Sequence, residues 1–204
     1  MGVSHMLERP RLMLLSLSFI GVVIAGFSYM VILPGLLENE LGREPKDMAL
    51  LVGVSAISGF AVTLMLAGQA GSGRAWPLML GGGIALGVSL WLLALSPSFI
   101  AAMGAMFAVG VGASAFQLLS NALVMQEADQ AYYGRVMSVT MLAWGANSLV
   151  AYPFGLLADG IGERQTLMVM GSGVVAVTMA TWVTVLGIGR REAAAPVASV
   201  AGGD

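Results

Sequence analysis

RVMSVTMLAWGANSLVAYPFGLLAD, residues 135–159, begins on an arginine, ends on an aspartate and carries no charge between them. A helix lying on a soluble protein places polar residues on its outer face in every turn or two. This stretch does not, so its outer face is not in water. About 20 apolar residues suffice for a helix to cross the hydrocarbon of a bilayer. The stretch therefore predicts a membrane span over 136–158, with Arg135 at its threshold.

The same arithmetic extends in both directions. Charge-free intervals also run from Arg11 to Glu38, Asp47 to Arg74, Arg74 to Glu127 and Arg164 to Arg190. Three of these fit one span each. The Arg74–Glu127 interval fits two, divided at Ser96-Pro97-Ser98, where Ser96 can cap and Pro97 can open the next helix. The expectation is an all-α polytopic membrane protein. Its lead-in covers residues 1–11, its single six-helix domain 12–190, and a disordered tail 191–204. The six spans fall at about 12–37, 48–70, 76–95, 98–126, 136–158 and 165–189. No segment alternates in the way a barrel strand requires. The run that follows Arg9 and Arg11 is too long for a signal peptide and lacks a small-residue cleavage site.

Composition agrees and excludes much else. Of 204 residues, 58% are hydrophobic and 10% charged, against roughly 25% charged in soluble domains. The net charge of −2 gives no reason to expect a nucleic-acid partner. Without cysteine, and with His5 as the one histidine, thiolate chemistry, histidine acid–base work and the commoner metal sites are unavailable. No Asp, Glu, Lys, Arg or His falls in the middle of a span, so the chain offers no obvious proton relay of its own. No enzyme activity, cofactor or metal is expected. With both termini cytoplasmic, Arg9, Arg11, Arg74, Arg135, Arg190 and Arg191 lie inside, and Arg43, Lys46 and Arg164 outside. Six against three favours that orientation. The expected location is the bacterial cytoplasmic (inner) membrane. Arg135 and Arg74 are then cytoplasmic threshold residues, either topology anchors or parts of a gate.

Uncharged polar residues gather on particular faces. Ser114, Gln117 and Asn121 recur at helical spacing on the fourth span, and Thr140, Trp144 and Asn147 on the fifth. The second carries Ser55 and Ser58, with Gln69 near its end, and the first Ser18 and Tyr29. Two readings stand: interhelical hydrogen bonds, worth about 0.6 kcal/mol each, or the lining of a cavity for a mostly apolar small molecule. Cavity candidates are Tyr29, Ser55, Ser58, Gln117, Asn121, Thr140, Trp144 and Asn147. Gly83 and Gly87 on the third span, and Gly104, Ala108 and Gly112 on the fourth, are candidates for close helix packing. Pro153 lacks an N–H for the Leu149 carbonyl and predicts a kink.

YYGRVMSVTMLAWGANSLVAYPFGLLADGIGERQTL, residues 132–167, resembles the major facilitator superfamily, in particular the C-terminal six-helix half of its drug and siderophore exporters. Gly134, Arg135, Val136 and Met137 match the opening of the family's eleventh helix. Gly155, Leu157, Ala158, Asp159, Ile161 and Gly162 match its exit. The Pro34-bearing first span is similar to the seventh helix. One loop departs: LAGQAGSGRAW keeps Gly73 and Arg74 but lacks the family's acidic residue, which weakens any ion-pair gate there. The resemblance implies secondary transport by alternating access. Helices one, two, four and five would line the path, and three and six would face lipid. The threonines Thr178, Thr181 and Thr184 on the sixth fit that assignment less well. It also implies a second six-helix half, since the family pairs two about an axis along the membrane normal. The chain could be a truncated product, one of a split pair, or a protomer that dimerises. Expected partners are thus the lipid bilayer, a small-molecule substrate and that second half. The alternative is a non-transporting assembly or regulatory subunit, or an inactive remnant.

Overall fold

The computed structural model describes residues 10–128 and 133–194. The described residues form helices and connecting turns, with no strand. Six helices are long and apolar enough to cross a membrane, over Arg11–Glu40, Pro45–Gln69, Ala75–Ala94, Phe99–Glu127, Thr140–Ile161 and Glu163–Gly187. An even number of crossings returns the chain to its starting side. The turn near residues 70–74 therefore lies on the side of the first and last described residues, the termini's side below, and the turns at 41–44, 95–98 and 162 lie on the far side.

Helix α1 is not one regular rod. Regular helix over Pro10–Val22 passes into a π-helical stretch at Val23–Phe27, regular helix at Tyr29–Gly35 and a second π stretch at Leu36–Glu40. Inside the third piece, Pro34 has no N–H to give. Just beyond, the Leu36 N–H is shared between the Ile32 and Leu33 carbonyls. Such local widening is uncommon and tends to occur where helices work.

The other five are α2 (Met48–Leu66), α3 (Ala75–Ala94), α4 (Phe99–Glu127), α5 (Tyr133–Ile161) and α6 (Glu163–Ala194). Helix α6 continues past 189, and residues 195–204 of the expected tail lie outside the described residues. The α3–α4 turn departs from expectation in one atom's role. Ser98, in extended backbone, accepts from the Ala101 N–H at 3.3 Å and caps α4. Ser96 instead turns back to donate to the Leu93 carbonyl at 2.7 Å. Helices α5 and α6 are separated by Gly162 alone, whose φ of +91° is a left-handed turn that favours glycine. Its N–H closes α5 on the Ala158 carbonyl at 2.8 Å.

Helix α3 packs between α4 and α6; α2 lies on α4; α1 touches α4, α5 and α6. Phe19 of α1 stacks on Phe116 of α4 at 6.3 Å, and Leu12, Val22, Leu86, Leu90, Leu119 and Val174 are wholly buried around them. The third helix, expected to face lipid, is the most enclosed: 56% of its apolar window is buried, against 17% for the second and 6% for the fifth. It leaves only the stripe Pro77, Gly81, Ala85, Val88 and Leu92 exposed, which Leu95 continues just past its end. The sixth helix's threonines need no cavity, because Thr178, Thr181 and Thr184 each donate to the carbonyl one turn back, at 2.8 Å.

Candidate substrate pathway

Helix α1 carries the polar contacts that tie the bundle's lightly buried flanks together. The buried Tyr29 hydroxyl faces Ser55 of α2. One residue earlier, the Ser28 hydroxyl donates to Asn147 Oδ1 of α5 at 2.9 Å. It also lies 3.1 Å from the Ile24 carbonyl of its own helix. Phe27 meets Trp144 edge to face at 5.0 Å. All three contacts leave α1 between its first π stretch and the start of the next helical piece. In apolar surroundings the two polar contacts satisfy atoms that lipid could not, and the ring contact packs beside them.

The predicted polar faces are therefore divided by the fold. Tyr29, Ser55, Trp144 and Asn147 come together through α1. Thr140, one turn before Trp144, is half-buried. Ser58 does not join them: it is 1% exposed and donates to the Ser55 and Phe107 carbonyls, both at 2.9 Å. It fastens α2 to α4, and its hydroxyl has no surface left for a cavity. Ser114, Gln117 and Asn121 continue the α4 face on which Gly110 meets α2, at spacings of four, three and four. Gln117 and Asn121 are half-buried, and neither amide hydrogen-bonds with a described residue. Ser18 and Ser120 are buried hydroxyls without a partner among the described residues.

Packing glycines divide similarly. A Cβ at Gly83 would lie 2.6 Å from Thr178 Oγ1, at Gly87 2.8 Å from the Gly171 carbonyl, and at Gly112 2.5 Å from Leu86 N. These glycines let α3 approach α6 and α4. Gly104 is corrected: it is exposed and a Cβ there meets nothing within 4 Å. Ala108 is half-buried. The closest approach of α2 and α4 uses Gly59 against Ser114, and Gly110 against Ser55 and Ser58. Two small-residue pairs at four-residue spacing, Ser55/Gly59 and Gly110/Ser114, are the sequence signal that marks it. Ser28 and Phe27 had no such signal, since each looks like an ordinary span residue.

Arg74 is exposed at the residue preceding α3. Arg135 lies in the first turn of α5, and its side chain is outside the described residues. Pro153 is exposed inside α5, which continues on both sides of it.

On the far side a polar clasp gathers four helix ends. Arg164 Nε reaches Glu40 Oε2 at 2.6 Å, while its Nη1 donates to the Ala94 carbonyl at 2.7 Å. Asn39 donates to Glu163 Oε1 at 2.5 Å. Arg43 sits over the Phe99 ring at 4.9 Å. The ends of α1 and α3 and the starts of α4 and α6 are thereby linked.

Comparison with curated proteins and with solved structures gives no match. A model of the Major Facilitator Superfamily matches residues 2–152, which takes in α1 to α4 and most of α5. Six apolar crossings, a core built on α3 and α4, and a family match over most of the chain agree, and the chain belongs to the Major Facilitator Superfamily, a family of integral membrane transporters.

Proposed function

We propose that the chain works as one six-helix half of a secondary transporter, the half that is C-terminal in the exporter branch, and moves a small, largely apolar molecule outward by alternating access. The carrying observation is the junction at Phe27–Tyr29, where one short segment bonds to Asn147 on one flank and faces Ser55 on the other. Those flanks, α2 and α5, are the least buried helices of the chain. A second six-helix half, a copy of this chain or a separate one, would cover them and close a path between the halves. Tyr29, Ser55, Trp144, Asn147, Gln117 and Asn121 would then supply a few polar handles in an apolar lining, the usual make-up of a small-molecule site. Thr140 would extend that lining toward the termini's side.

Arg135 is assigned to the cytoplasmic gate, where it would hold helix ends together when the path faces outward. Coupling to protons would reside in the other half, because no Asp, Glu, Lys, Arg or His lies mid-span in this one. The orientation proposed is both termini in the cytoplasm of a bacterium, with the chain in its inner membrane.

The test is extrusion of a fluorescent lipophilic cation from proteoliposomes, with the chain alone and with the six-helix half supplied beside it. Asn147→Ala should slow flux at least about tenfold while costing only about 0.6 kcal/mol of stability, the worth of one interhelical bond. Arg135→Ala should leave insertion intact and abolish gradient-dependent flux. Absence of flux under both conditions sinks the transporter reading and leaves a structural subunit.

A further inference from the structure

A second feature lies on the outside of the bundle. Val62, Met65 and Leu66 of α2, Pro77, Gly81 and Ala85 of α3, and Val111 and Ala115 of α4 enclose a groove of about 330 Å³. Every lining side chain is apolar. Its floor is the close approach of α3 and α4, where Gly82 and Gly112 bring the two backbones together. Val111 and Ala115 centre about 120° around α4 from Gln117 and Asn121, by the 100° advance per residue. The groove therefore opens sideways toward the acyl chains and is separate from the proposed path.

Its position in the bilayer is set by α3. From Pro77 to Ala85 is eight residues, or about 12 Å at 1.5 Å each. That nearly fills one leaflet of a hydrocarbon core roughly 30 Å thick. At the leaflet's headgroup end, three residues from Pro77, stands Arg74. It is the one charged residue between Asp47 and Glu127, it is exposed, and no described residue pairs with it. The turn that presents it is built. Ser72 donates to the Gln69 carbonyl at 2.8 Å and accepts from the Arg74 N–H at 3.3 Å. Gln126 of α4 donates to the Ala70 carbonyl at 2.5 Å.

From the exposed cation three residues before Pro77 and the leaflet-deep apolar trough, we infer that the groove is a binding site for one anionic phospholipid of the termini-side leaflet. Arg74 holds the phosphate, and one acyl chain lies along Pro77, Gly81 and Ala85. A basic residue at the membrane surface favours an anionic headgroup, and the stripe of small residues on α3 lets the chain lie flush. The inference rests on membrane insertion alone and stands or falls independently of transport.

The experiment reconstitutes the full chain in vesicles of equimolar phosphatidylcholine and phosphatidylglycerol. One of the two lipids at a time carries a photoreactive diazirine on its acyl chain, and adducts are mapped by peptide mass. Labelling in the groove segments should be about fivefold higher from phosphatidylglycerol than from phosphatidylcholine, as one surface arginine predicts. Arg74→Gln should bring the two to parity. Gly81→Leu, whose Cβ meets no atom within 4 Å, should fill the trough and remove groove labelling from both lipids, with helical circular dichroism unchanged. Equal labelling in the unmodified chain, or labelling spread evenly over Ile57, Phe60, Leu149 and Tyr152, overturns the proposal. So does a disulfide joining two copies through Gly81→Cys, which would show that a second chain covers this surface.

Discussion

At the scale of single residues, the two helix-packing patterns on α4 show how little spacing alone can say. Gly104, Ala108 and Gly112 lie on one line, yet Gly104 faces open space and Gly112 lies against the backbone of α3. The glycine that brings α2 close is Gly110, which the line omits. A methyl group there runs into the Ser55 carbonyl and Ser58 hydroxyl, and backbone cannot yield as a flexible side chain can. Gly110→Ala should therefore destabilise the chain by about 1–3 kcal/mol, the usual cost of overpacking. Gly104→Ala should be neutral or stabilising by up to about 1 kcal/mol, from helix propensity. Thermal unfolding of both variants in one detergent checks the pair. Equal shifts would mean that the α2–α4 contact is looser than described.

At the scale of elements, α1 is the helix whose regularity fails, and its far end is held by Arg164. That guanidinium is about a third exposed, as is its partner Glu40, so the ion pair by itself contributes little. The bond to the Ala94 carbonyl adds a charge-assisted contact at the α3 C-terminus, where the helix dipole favours a cation. Arg164→Ala should cost about 1–2 kcal/mol. Its effect should be local: amide exchange should accelerate over Leu36–Leu41, and the Phe19–Phe116 region should keep its protection. Uniform acceleration throughout the chain would show that the clasp supports the whole bundle instead.

At the scale of the whole molecule, the unequal burial of the helices is the informative quantity. Helices α3 and α4 are enclosed, while α2 and α5 show Ile57, Phe60, Leu64, Leu149 and Tyr152 at more than 60% exposure. In a bilayer such faces meet either acyl chains or another bundle. Orientation is open to a direct check, since the native chain has no cysteine. A single Arg74→Cys should react with an impermeant maleimide only after the cytoplasmic side is opened. Labelling from outside intact cells would invert the proposed topology.

The charge-free intervals by themselves marked six stretches able to cross a membrane, which the described residues show as six long apolar helices, because a charge in hydrocarbon is expensive and its absence over about 20 residues is visible without any fold. They also located Pro34 and the small-residue stretches, and the motif around Arg135 to Gly162 carried the family resemblance that the match over residues 2–152 supports at the level of the superfamily. Which polar residues meet was decided only in three dimensions. Ser58 and Asn147 look alike as mid-span polar residues, but one is spent on an α2–α4 contact and the other reaches Ser28 of α1. The difference depends on which way each helix is rotated about its axis. That rotation is set by backbone approach at Gly59, Gly82, Gly87 and Gly110, a relation between residues far apart in sequence that no local pattern contains.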